Sequence, residues 1–338
     1  MHAPASSRKV VRTDCELELP RVDAALRAAG ASLVLLPESV GDDQLTHELA
    51  DADLLLMCYR RIDARAIVGA ARLRAIVKYG VGIDAIDIDA ARARAIPVAN
   101  VPFYAEETVA EGAFALLLAL FKRFKPVHQA MQAQGWIWPE AQWMAHDLAG
   151  KTLGIVGLGR IGSSMARMAA AFRMRVLGFD PYVADMPAER QHDLGAMLAE
   201  SDAVSVHCVL NGETRHLIGA AELASMKPSA FLVNVSRGEI VDEMALLAAL
   251  REGRIAGAAL DVYGQEPLAK SGHALSALYA MGNVLLWPHL TFYTHEAMQR
   301  LEGETLARCL EALEGRPLTV RSHDPRLRAQ TQGVRYEG

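Results

Sequence analysis

The sequence feature that most constrains the fold is a glycine-rich turn near the middle of the chain. In 151-KTLGIVGLGRIGSS-164, a short apolar run leads into Gly157, Gly159 and Gly162, which have the spacing GxGxxG. In a strand–turn–helix unit the first glycine permits a tight turn, and the second lets the backbone approach a pyrophosphate. The third lets the helix pack closely on the strand, with its N-terminus facing the phosphates. The pattern therefore predicts a dinucleotide-binding unit.

An acidic residue at the end of the next predicted strand indicates which dinucleotide this unit binds. Asp180 ends the run 176-VLGFD-180, 18 residues after Gly162. A carboxylate at this place hydrogen-bonds the adenosine ribose diol of NAD and repels the 2′-phosphate of NADP. The next two residues are Pro181 and Tyr182, so no Arg follows Asp180 directly. We therefore predict NAD as the cofactor.

Strand-like and helix-like segments alternate on both sides of the glycine turn. Short β-branched or leucine-rich runs are separated by alanine-rich helical patterns, which predicts right-handed crossovers and mostly parallel sheets. Two α/β units therefore share the chain, with no Gly/Ser linker between them. The predicted strands before the turn are 9–13, 32–36, 53–57, 75–79 and 97–100, and six more follow residue 151.

Two longer helical patterns suggest how the chain passes between the two units. The first covers residues 106–124, with acids at its start and Lys and Arg at its end, as the helix dipole favours. The second, 294–315, follows the last predicted strand and could return the chain to the front unit. We therefore predict a substrate-binding domain of residues 1–102 and 294–338 and an NAD-binding domain of residues 103–293.

Composition and charge narrow the classes of partner. A formal net charge of -5 offers no basic surface for nucleic acid. The four cysteines lie far apart without a CxxC pair, which argues against a disulfide framework and against a bound metal such as zinc. The longest apolar run, 112–121, is too short to span a bilayer, and the first nine residues lack the apolar stretch of a signal peptide. We expect a cytoplasmic protein without membrane contact.

Three polar residues follow predicted strands in the second half of the chain: Arg237, Glu266 and His289. In doubly wound sheets, residues just beyond the carboxyl ends of the strands face the ligand crevice. Each residue also has an ordinary structural interpretation. Arg237 could cap a helix, Glu266 could be a solvated loop acid, and His289 could be a histidine satisfied by its neighbours after Pro288.

Together with the glycine turn, these residues resemble the D-isomer-specific 2-hydroxyacid dehydrogenases, a phosphoglycerate dehydrogenase-like family. Its members reduce 2-oxo acids or oxidise D-2-hydroxy acids with NAD(H). The likeness extends with collinear spacing through residues 78–102, 107–120 and 214–246. It implies two Rossmann-like, doubly wound parallel-sheet domains with the active site in the cleft between them.

The resemblance also implies a homodimer formed through the nucleotide-binding domains. The tryptophan-rich stretch 135-GWIWPEAQWMAHDLAG-150 matches the extended segment that reaches across such dimers. Tryptophans packed in the protein's own core are the alternative, because aromatic residues suit both settings.

By resemblance, the three polar residues would carry the chemistry on a small 2-oxo or 2-hydroxy acid. Arg237 would bind the substrate carboxylate and polarise the 2-oxo group, since its planar fork of donors suits both oxygens. His289 would protonate the carbonyl oxygen during reduction. Glu266 would orient the imidazole and favour its protonated form. The backbone amides of Val81 and Gly82 would bind the substrate carboxylate.

The family positions also assign further contacts to NAD. Arg160 and Ile161 would offer backbone amides to the pyrophosphate, beside the three glycines of the turn. Asp261 matches the position that contacts the nicotinamide carboxamide.

Two departures from the family pattern concern the substrate. Phe292 and Tyr293 follow the histidine where relatives usually carry small residues. Met57 and Cys58 stand where phosphoglycerate enzymes carry Arg-Ser, although Arg60 lies close in sequence. We expect residues 57–60, Phe103, Tyr104, Phe292 and Tyr293 to line the substrate pocket, and most of them are apolar or aromatic. We therefore predict a non-phosphorylated 2-oxo acid such as glyoxylate, hydroxypyruvate or a pyruvate analogue.

Two other functions remain open at this point. One is an NAD-sensing interaction protein like the corepressor branch of the family, and the other is a phosphite-oxidising relative. Both keep Arg237, Glu266 and His289 at the family positions, so these residues do not separate them from a dehydrogenase. Glu266 does argue against the formate-specific branch, which carries Gln there.

Overall fold

The computed structural model describes residues 8–337, which form two compact units. One unit comprises the described residues up to Tyr104 together with those from Thr294 onward, and the other is Ala105–Tyr293. Residues 1–7 and 338, which the predicted substrate-binding domain includes, lie outside the described range. Within residues 8–337, none of the helices combines the length and the apolar character that a bilayer crossing requires.

The first unit is built on a five-stranded parallel sheet. Its elements before Tyr104 are β1 (Lys9–Arg12), α1 (Pro20–Ala28), β2 (Ser32–Leu35), α2 (Asp42–Leu49), β3 (Leu54–Met57), α3 (Ala64–Gly69), β4 (Ala75–Lys78), α4 (Ile88–Ala93) and β5 (Val98–Asn100). The strand order is β2-β1-β3-β4-β5, and every pairing is parallel. Because both faces of the sheet are covered, β3 and β4 are buried along their whole length.

The second unit is built on a seven-stranded parallel sheet. Its elements are α5 (Glu106–Phe121), α6 (Phe124–Gln134), β6 (Thr152–Val156), α7 (Arg160–Ala171), β7 (Arg175–Phe179), β8 (Glu189–Arg190), α8 (Leu194–Glu200), β9 (Ala203–Val206), α9 (Ala220–Ser225), β10 (Phe231–Asn234), α10 (Glu243–Arg251), β11 (Gly257–Leu260) and β12 (Val284–Leu286). The strand order is β12-β11-β10-β9-β6-β7-β8. Chain order therefore reverses between β6 and β9, which is where such sheets bind ligands. The predicted α/β fold class is confirmed.

The apolar core of the second unit lies on both faces of its sheet. Successive side chains of a strand point to opposite faces, so Leu232 of β10 joins one apolar cluster and Val233 joins the other. The cluster around Leu232 contains side chains of α8, α9 and α10, and the cluster around Val233 contains side chains of α5 and α7. The resulting sandwich fixes the carboxyl ends of the strands, where the polar residues are found.

The prediction of one helix over residues 106–124 is wrong in its last turn. Helix α5 ends at Phe121, and Arg123 adopts a left-handed backbone conformation with φ +53° before α6 begins at Phe124. The Lys125 ammonium donates to the carbonyl oxygens of Met281 (2.9 Å) and Val284 (2.7 Å), so the start of α6 is held against the segment that leads into β12. These partners lie over 150 residues away in sequence, and therefore no local pattern predicted the break.

The chain ends with α11 (His295–Leu313), β13 (Leu318–Val320), α12 (Pro325–Arg328) and β14 (Val334–Tyr336). Helix α11 packs against α1, β3 and β4 of the five-stranded sheet. The Gln330 side-chain amide accepts from the Val98 amide at 2.7 Å and donates to the Val98 carbonyl at 2.9 Å. It thus satisfies the outer edge of β5 as a neighbouring strand would.

Candidate active site

The turn after β6 requires glycine at two of its three positions. Gly157 has φ +90°, and a Cβ there would lie 2.4 Å from the backbone nitrogen of Cys208. A Cβ on Gly162 would lie 2.0 Å from the carbonyl oxygen of Gly157. No side chain tolerates such distances, so these two glycines allow β6, the turn and α7 to pack against one another.

Gly159 has a different role, because a Cβ there would meet no atom within 4 Å. It is the N-cap of α7, whose first two residues are Arg160 and Ile161, and it lines a cavity of about 430 Å³. The Arg160 guanidinium pairs with Glu106 at the rim of this cavity. Open space, backbone donors at a helix start and a nearby cation suit the pyrophosphate of a dinucleotide.

Asp180 follows β7 directly and lies beside the glycine turn. Its Oδ2 accepts from the Leu158 amide at 2.8 Å, and its Oδ1 accepts from the amides of Tyr182 (2.9 Å) and Val183 (3.1 Å). The carboxylate is therefore fixed next to the turn by three backbone donors. This is the place that the predicted contact with the ribose diol requires.

Arg237 stands at the end of β10, where its backbone is held by two neighbours. Asn234 Nδ2 donates to the Arg237 carbonyl at 2.8 Å, and a Cβ on Gly238 would lie 2.0 Å from the carbonyl carbon of Tyr263. The segment after β10 therefore packs directly on the segment after β11. The Arg237 charge lies close enough to Glu266 to help lower the pKa of that carboxyl group.

Glu266 and His289 form the central contact of the site. His289 Nδ1 lies 2.8 Å from Glu266 Oε2, and the two side chains are 27% and 31% exposed. Burial by itself would raise the pKa of Glu266, but the hydrogen bond and charge of His289, the Tyr263 amide and Arg237 together lower it. Glu266 is therefore an ionised carboxylate at neutral pH, and the Nε2 side of the imidazole points away from it.

Asp261 holds the backbone on which His289 stands. The Asp261 carbonyl oxygen accepts from the His289 amide, and its Oδ1 accepts from the Leu290 amide, both at 2.8 Å. Its Oδ2 accepts from the Thr291 amide (3.2 Å) and hydroxyl (2.5 Å). Desolvation raises the pKa of this fully buried carboxyl group, even though these donors and the His289 charge oppose the change. Asp261 thus lies beside the imidazole.

Sequence reasoning missed the function of Tyr263. Its hydroxyl donates to the carbonyl oxygens of Leu260 (3.1 Å) and Trp287 (3.0 Å), and its amide donates to Glu266 Oε1 at 2.9 Å. One side chain therefore joins the ends of β11 and β12 on either side of the Glu266–His289 contact. A phenol three residues after a buried strand is the signal that could have found it.

In the first unit, Val81 and Gly82 follow β4 in a loop with an unusual backbone. Gly80 has φ +151°, and Asn100 Nδ2 at the end of β5 donates to the Val81 carbonyl at 2.6 Å. Beside this loop, the last residue of β4 is a cation, Lys78, that sequence reasoning missed. The Lys78 ammonium is 3.3 Å from Cys58 Sγ, and a Cβ on Gly80 would lie 2.9 Å from it. The charge within an otherwise apolar strand was the available signal.

Three of the residues expected to line the substrate pocket are nearly or fully buried. Met57 is fully buried, and Phe292 is 6% exposed, with its ring 6.4 Å from the imidazole of His289 in an edge-on arrangement. Tyr104 is also buried, with 7% of its surface exposed. Tyr293 is half-exposed, and Arg60 pairs with Asp42 of α2.

Comparisons with known proteins agree with this arrangement. The family model described as D-isomer specific 2-hydroxyacid dehydrogenase, NAD binding domain, matches residues 114–291. A glyoxylate reductase of Korarchaeum cryptofilum (strain OPF8) is 41% identical over 249 residues, which cover 71% of this chain and 73% of the relative. A D-3-phosphoglycerate dehydrogenase of Mycobacterium leprae (strain TN) is 36% identical over 315 residues, 88% of this chain and 58% of the relative.

The same agreement extends to solved structures. The D-lactate dehydrogenase from Aquifex aeolicus, complexed with NAD and lactic acid, superposes with a TM-score of 0.81 at 30% identity. The superposition covers 90% of this chain and 96% of the other. The parallel sheet, the glycine turn at its switch point and the carboxylate–imidazole pair define a dinucleotide-dependent oxidoreductase.

The chain belongs to the D-isomer-specific 2-hydroxyacid dehydrogenase family. It is an NAD-dependent oxidoreductase that acts on the CH–OH group of 2-hydroxy acids and on the corresponding 2-oxo acids. The predicted family, cofactor and reaction class are confirmed.

Proposed function

We propose that this protein reduces small, non-phosphorylated 2-oxo acids to D-2-hydroxy acids, and that Arg237, Glu266 and His289 carry the reaction. The observation that supports this most strongly is the 2.8 Å contact between His289 Nδ1 and Glu266 Oε2. These two residues follow β12 and β11, and Arg237 follows the neighbouring strand β10. An ionised carboxylate beside Nδ1 orients the ring, so Nε2 is the nitrogen that is available to transfer a proton to the substrate.

Each side chain then has a separate task. The Arg237 guanidinium binds the substrate carboxylate and polarises the 2-oxo group. His289 delivers a proton from Nε2 to the carbonyl oxygen, and it accepts that proton again in the oxidative direction. Bound NAD(H) supplies or accepts the hydride. The Val81 and Gly82 amides, at the loop held by Asn100, bind the remaining carboxylate oxygen.

The cofactor is proposed to lie along the carboxyl ends of β6, β7 and β9. The turn at Gly157 and Gly162 and the amides at the start of α7 hold the pyrophosphate, and Asp180 binds the adenosine ribose. Asp261 matches the family position that contacts the nicotinamide carboxamide, but it is fully buried in this structure and both of its carboxylate oxygens accept from residues 290 and 291. On this proposal Ala105–Tyr293 is the NAD-binding domain, and the other unit binds the substrate. The family match over residues 114–291, within the seven-stranded unit, supports the division.

The names of relatives support two substrate classes. Several are glyoxylate reductases, one is a glyoxylate/hydroxypyruvate reductase, and two are D-3-phosphoglycerate dehydrogenases. The pairing of Arg60 with Asp42 and the buried thiol and methyl groups of Cys58 and Met57 favour the non-phosphorylated class. A buried Lys78 next to Gly80 is the feature that favours the other class.

A direct comparison of substrates tests this choice. With NADH, we expect kcat/KM to be at least about tenfold higher for hydroxypyruvate or glyoxylate than for hydroxypyruvate 3-phosphate, since Arg60 pairs with Asp42 and Met57 carries no charge that could hold a phosphate. The same panel includes phosphite with NAD. A clear preference for the phosphorylated compound, lost in Lys78→Met, would contradict the proposal, and so would turnover with phosphite alone.

We also propose a homodimer in the cytoplasm. Trp136, Trp138 and Met144 are each over 70% exposed, an unusual concentration of apolar surface that contact with a second copy would cover. None of the four cysteines, all within residues 8–337, forms a disulfide bond, as a reducing compartment favours. Light scattering of the wild type is expected to give twice the monomer mass. The double variant Trp136→Ser/Trp138→Ser is expected to have a lower mass than the wild type. A monomeric wild-type protein would contradict the proposed dimer.

A further inference from the structure

The backbone of His289 has a conformation that side chains other than glycine rarely adopt. Its φ is +56°, in the left-handed region. Such a conformation persists where the surrounding structure holds it. At this residue the conformation matters, because it sets the direction in which the imidazole leaves the chain, and the imidazole meets Glu266 at 2.8 Å.

Thr291 is one of the groups that hold this loop, and it does so from inside the protein. It is 8% exposed, and its hydroxyl donates to Asp261 Oδ2 at 2.5 Å. Asp261 also accepts from the amides of His289, Leu290 and Thr291, so four donors from three consecutive residues converge on one buried aspartate. The Thr291 hydroxyl supplies the shortest of these contacts.

Helix α5 closes the other side of Thr291. A Cβ on Gly112 would lie 2.8 Å from the Thr291 Cβ and 2.9 Å from its methyl carbon Cγ2. Real carbon atoms do not approach so closely, so α5 and Thr291 are in contact only because residue 112 is glycine. Thr291 is therefore wedged between a helix backbone and a fixed carboxylate, and it has little freedom to move.

We propose that Thr291 is a positioning residue for His289. Its hydroxyl, anchored on Asp261 and backed by Gly112, keeps the histidine backbone in the left-handed conformation that directs Nδ1 at Glu266. Thr291 is nearly buried, and it acts on the reaction through the imidazole. The inference rests on the acid role proposed for His289. It predicts a loss of turnover when the hydroxyl is removed, even if the shape of the side chain is kept.

The central test is a double-mutant cycle. Thr291→Val keeps the branched shape and removes the hydroxyl, and we expect it to lower kcat about tenfold, in line with a lost hydrogen bond to a buried carboxylate. Thr291→Ser keeps the hydroxyl and should stay within about twofold of the wild type. In a His289→Ala background, Thr291→Val should have no further effect on the residual turnover. Equal losses in both backgrounds would show that Thr291 does not act through the histidine.

A second pair of variants examines the wedge from the helix side. Gly112→Ala places a methyl group against Thr291 and is expected to lower kcat, while the matched control Gly303→Ala on α11, where a Cβ meets no atom within 4 Å, should leave kcat unchanged. Hydrogen–deuterium exchange of the peptide around residues 289–291 should be faster in Thr291→Val and in Gly112→Ala. Unchanged exchange and unchanged kcat in both variants would overturn the inference.

These experiments separate the inference from the function on which it rests. If His289→Ala leaves turnover undiminished, the acid role fails, and the positioning role fails with it. If His289→Ala abolishes turnover while folded Thr291→Val retains the wild-type kcat, the acid role stands and only the role of Thr291 is refuted. Calorimetric measurement of NADH binding to each variant checks that the variants being compared are folded.

Discussion

At the scale of single residues, the three glycines of the turn after β6 have different physical reasons to be glycine. Gly157 and Gly162 are required by the protein's own packing, because a Cβ on either would overlap backbone atoms of the fold. Gly159 borders open space, so nothing within the chain excludes a side chain there. We propose that its reason to be glycine is a ligand whose pyrophosphate approaches the backbone.

Matched alanine substitutions distinguish these two reasons. Gly157→Ala is expected to lower the melting temperature, because the new Cβ would lie 2.4 Å from the Cys208 nitrogen and φ is +90°. Gly159→Ala is expected to keep the melting temperature and to weaken NADH binding about tenfold or more, as a loss of ~1.4 kcal/mol implies. Calorimetry and thermal denaturation measure both effects. Undiminished NADH affinity in Gly159→Ala would remove this residue from the cofactor site.

Single residues also show where sequence reasoning reached its limit. Arg237, Glu266 and His289 could be proposed from the sequence because each follows a predicted strand, and parallel strand ends converge. The anchoring of residues 289–291 by Asp261, 30 positions earlier, was not predictable from spacing, since it depends on which side chains β11 and β12 bring together. The same holds for Lys78 beside Cys58.

At the scale of elements, the loops that join strands to helices contain buried polar groups with consequences for stability. His207 follows β9 directly, and its amide donates to the Val156 carbonyl at 2.7 Å. Its Nε2 lies 2.8 Å from the Ser205 hydroxyl, and its Nδ1 is buried without a hydrogen-bond partner among residues 8–337. Burial lowers the pKa of His207 to about 4. The ring is therefore neutral in the folded protein at neutral pH.

This lowered pKa predicts a loss of stability in mild acid. Between the unfolded value near 6.5 and the folded value of about 4, the unfolded state binds more protons, so stability falls as pH falls through this window. The contribution is at most ~3 kcal/mol. The melting temperature of His207→Gln should therefore drop less than that of the wild type between pH 7 and pH 4.5. The difference between the two drops should correspond roughly to this free energy. The same change at exposed His128 is the control, and identical pH profiles for all three proteins would contradict the prediction.

Element positions were predictable where the pattern was local. All eleven strands expected from β-branched or leucine-rich runs are present, because a strand buried on both faces needs an uninterrupted apolar run. The two-residue β8 and the short β13 and β14 were not predicted. They are defined by their pairing, β8 with β7 and β13 with β14, and their own residues have no distinctive period.

At the scale of the whole molecule, the chain leaves its first compact unit after Tyr104 and re-enters it at Thr294. The seven-stranded unit is thus inserted into the chain of the five-stranded one, which explains why a dinucleotide-binding turn begins 150 residues into the sequence. Arg237, Glu266 and His289 all belong to the inserted unit. The roles proposed for these three residues can therefore be tested with substitutions in the seven-stranded unit alone.

The most direct test of the account is the turnover of His289→Ala with glyoxylate or hydroxypyruvate and NADH. Without the proton donor, kcat should fall by roughly 10²–10⁴-fold, while the dissociation constant for NADH remains close to that of the wild type. Glu266→Gln, which keeps the shape but removes the charge that orients the imidazole, should cause a smaller loss of the same kind. Full turnover in His289→Ala, with NADH bound normally, would contradict the assignment of this histidine as the acid.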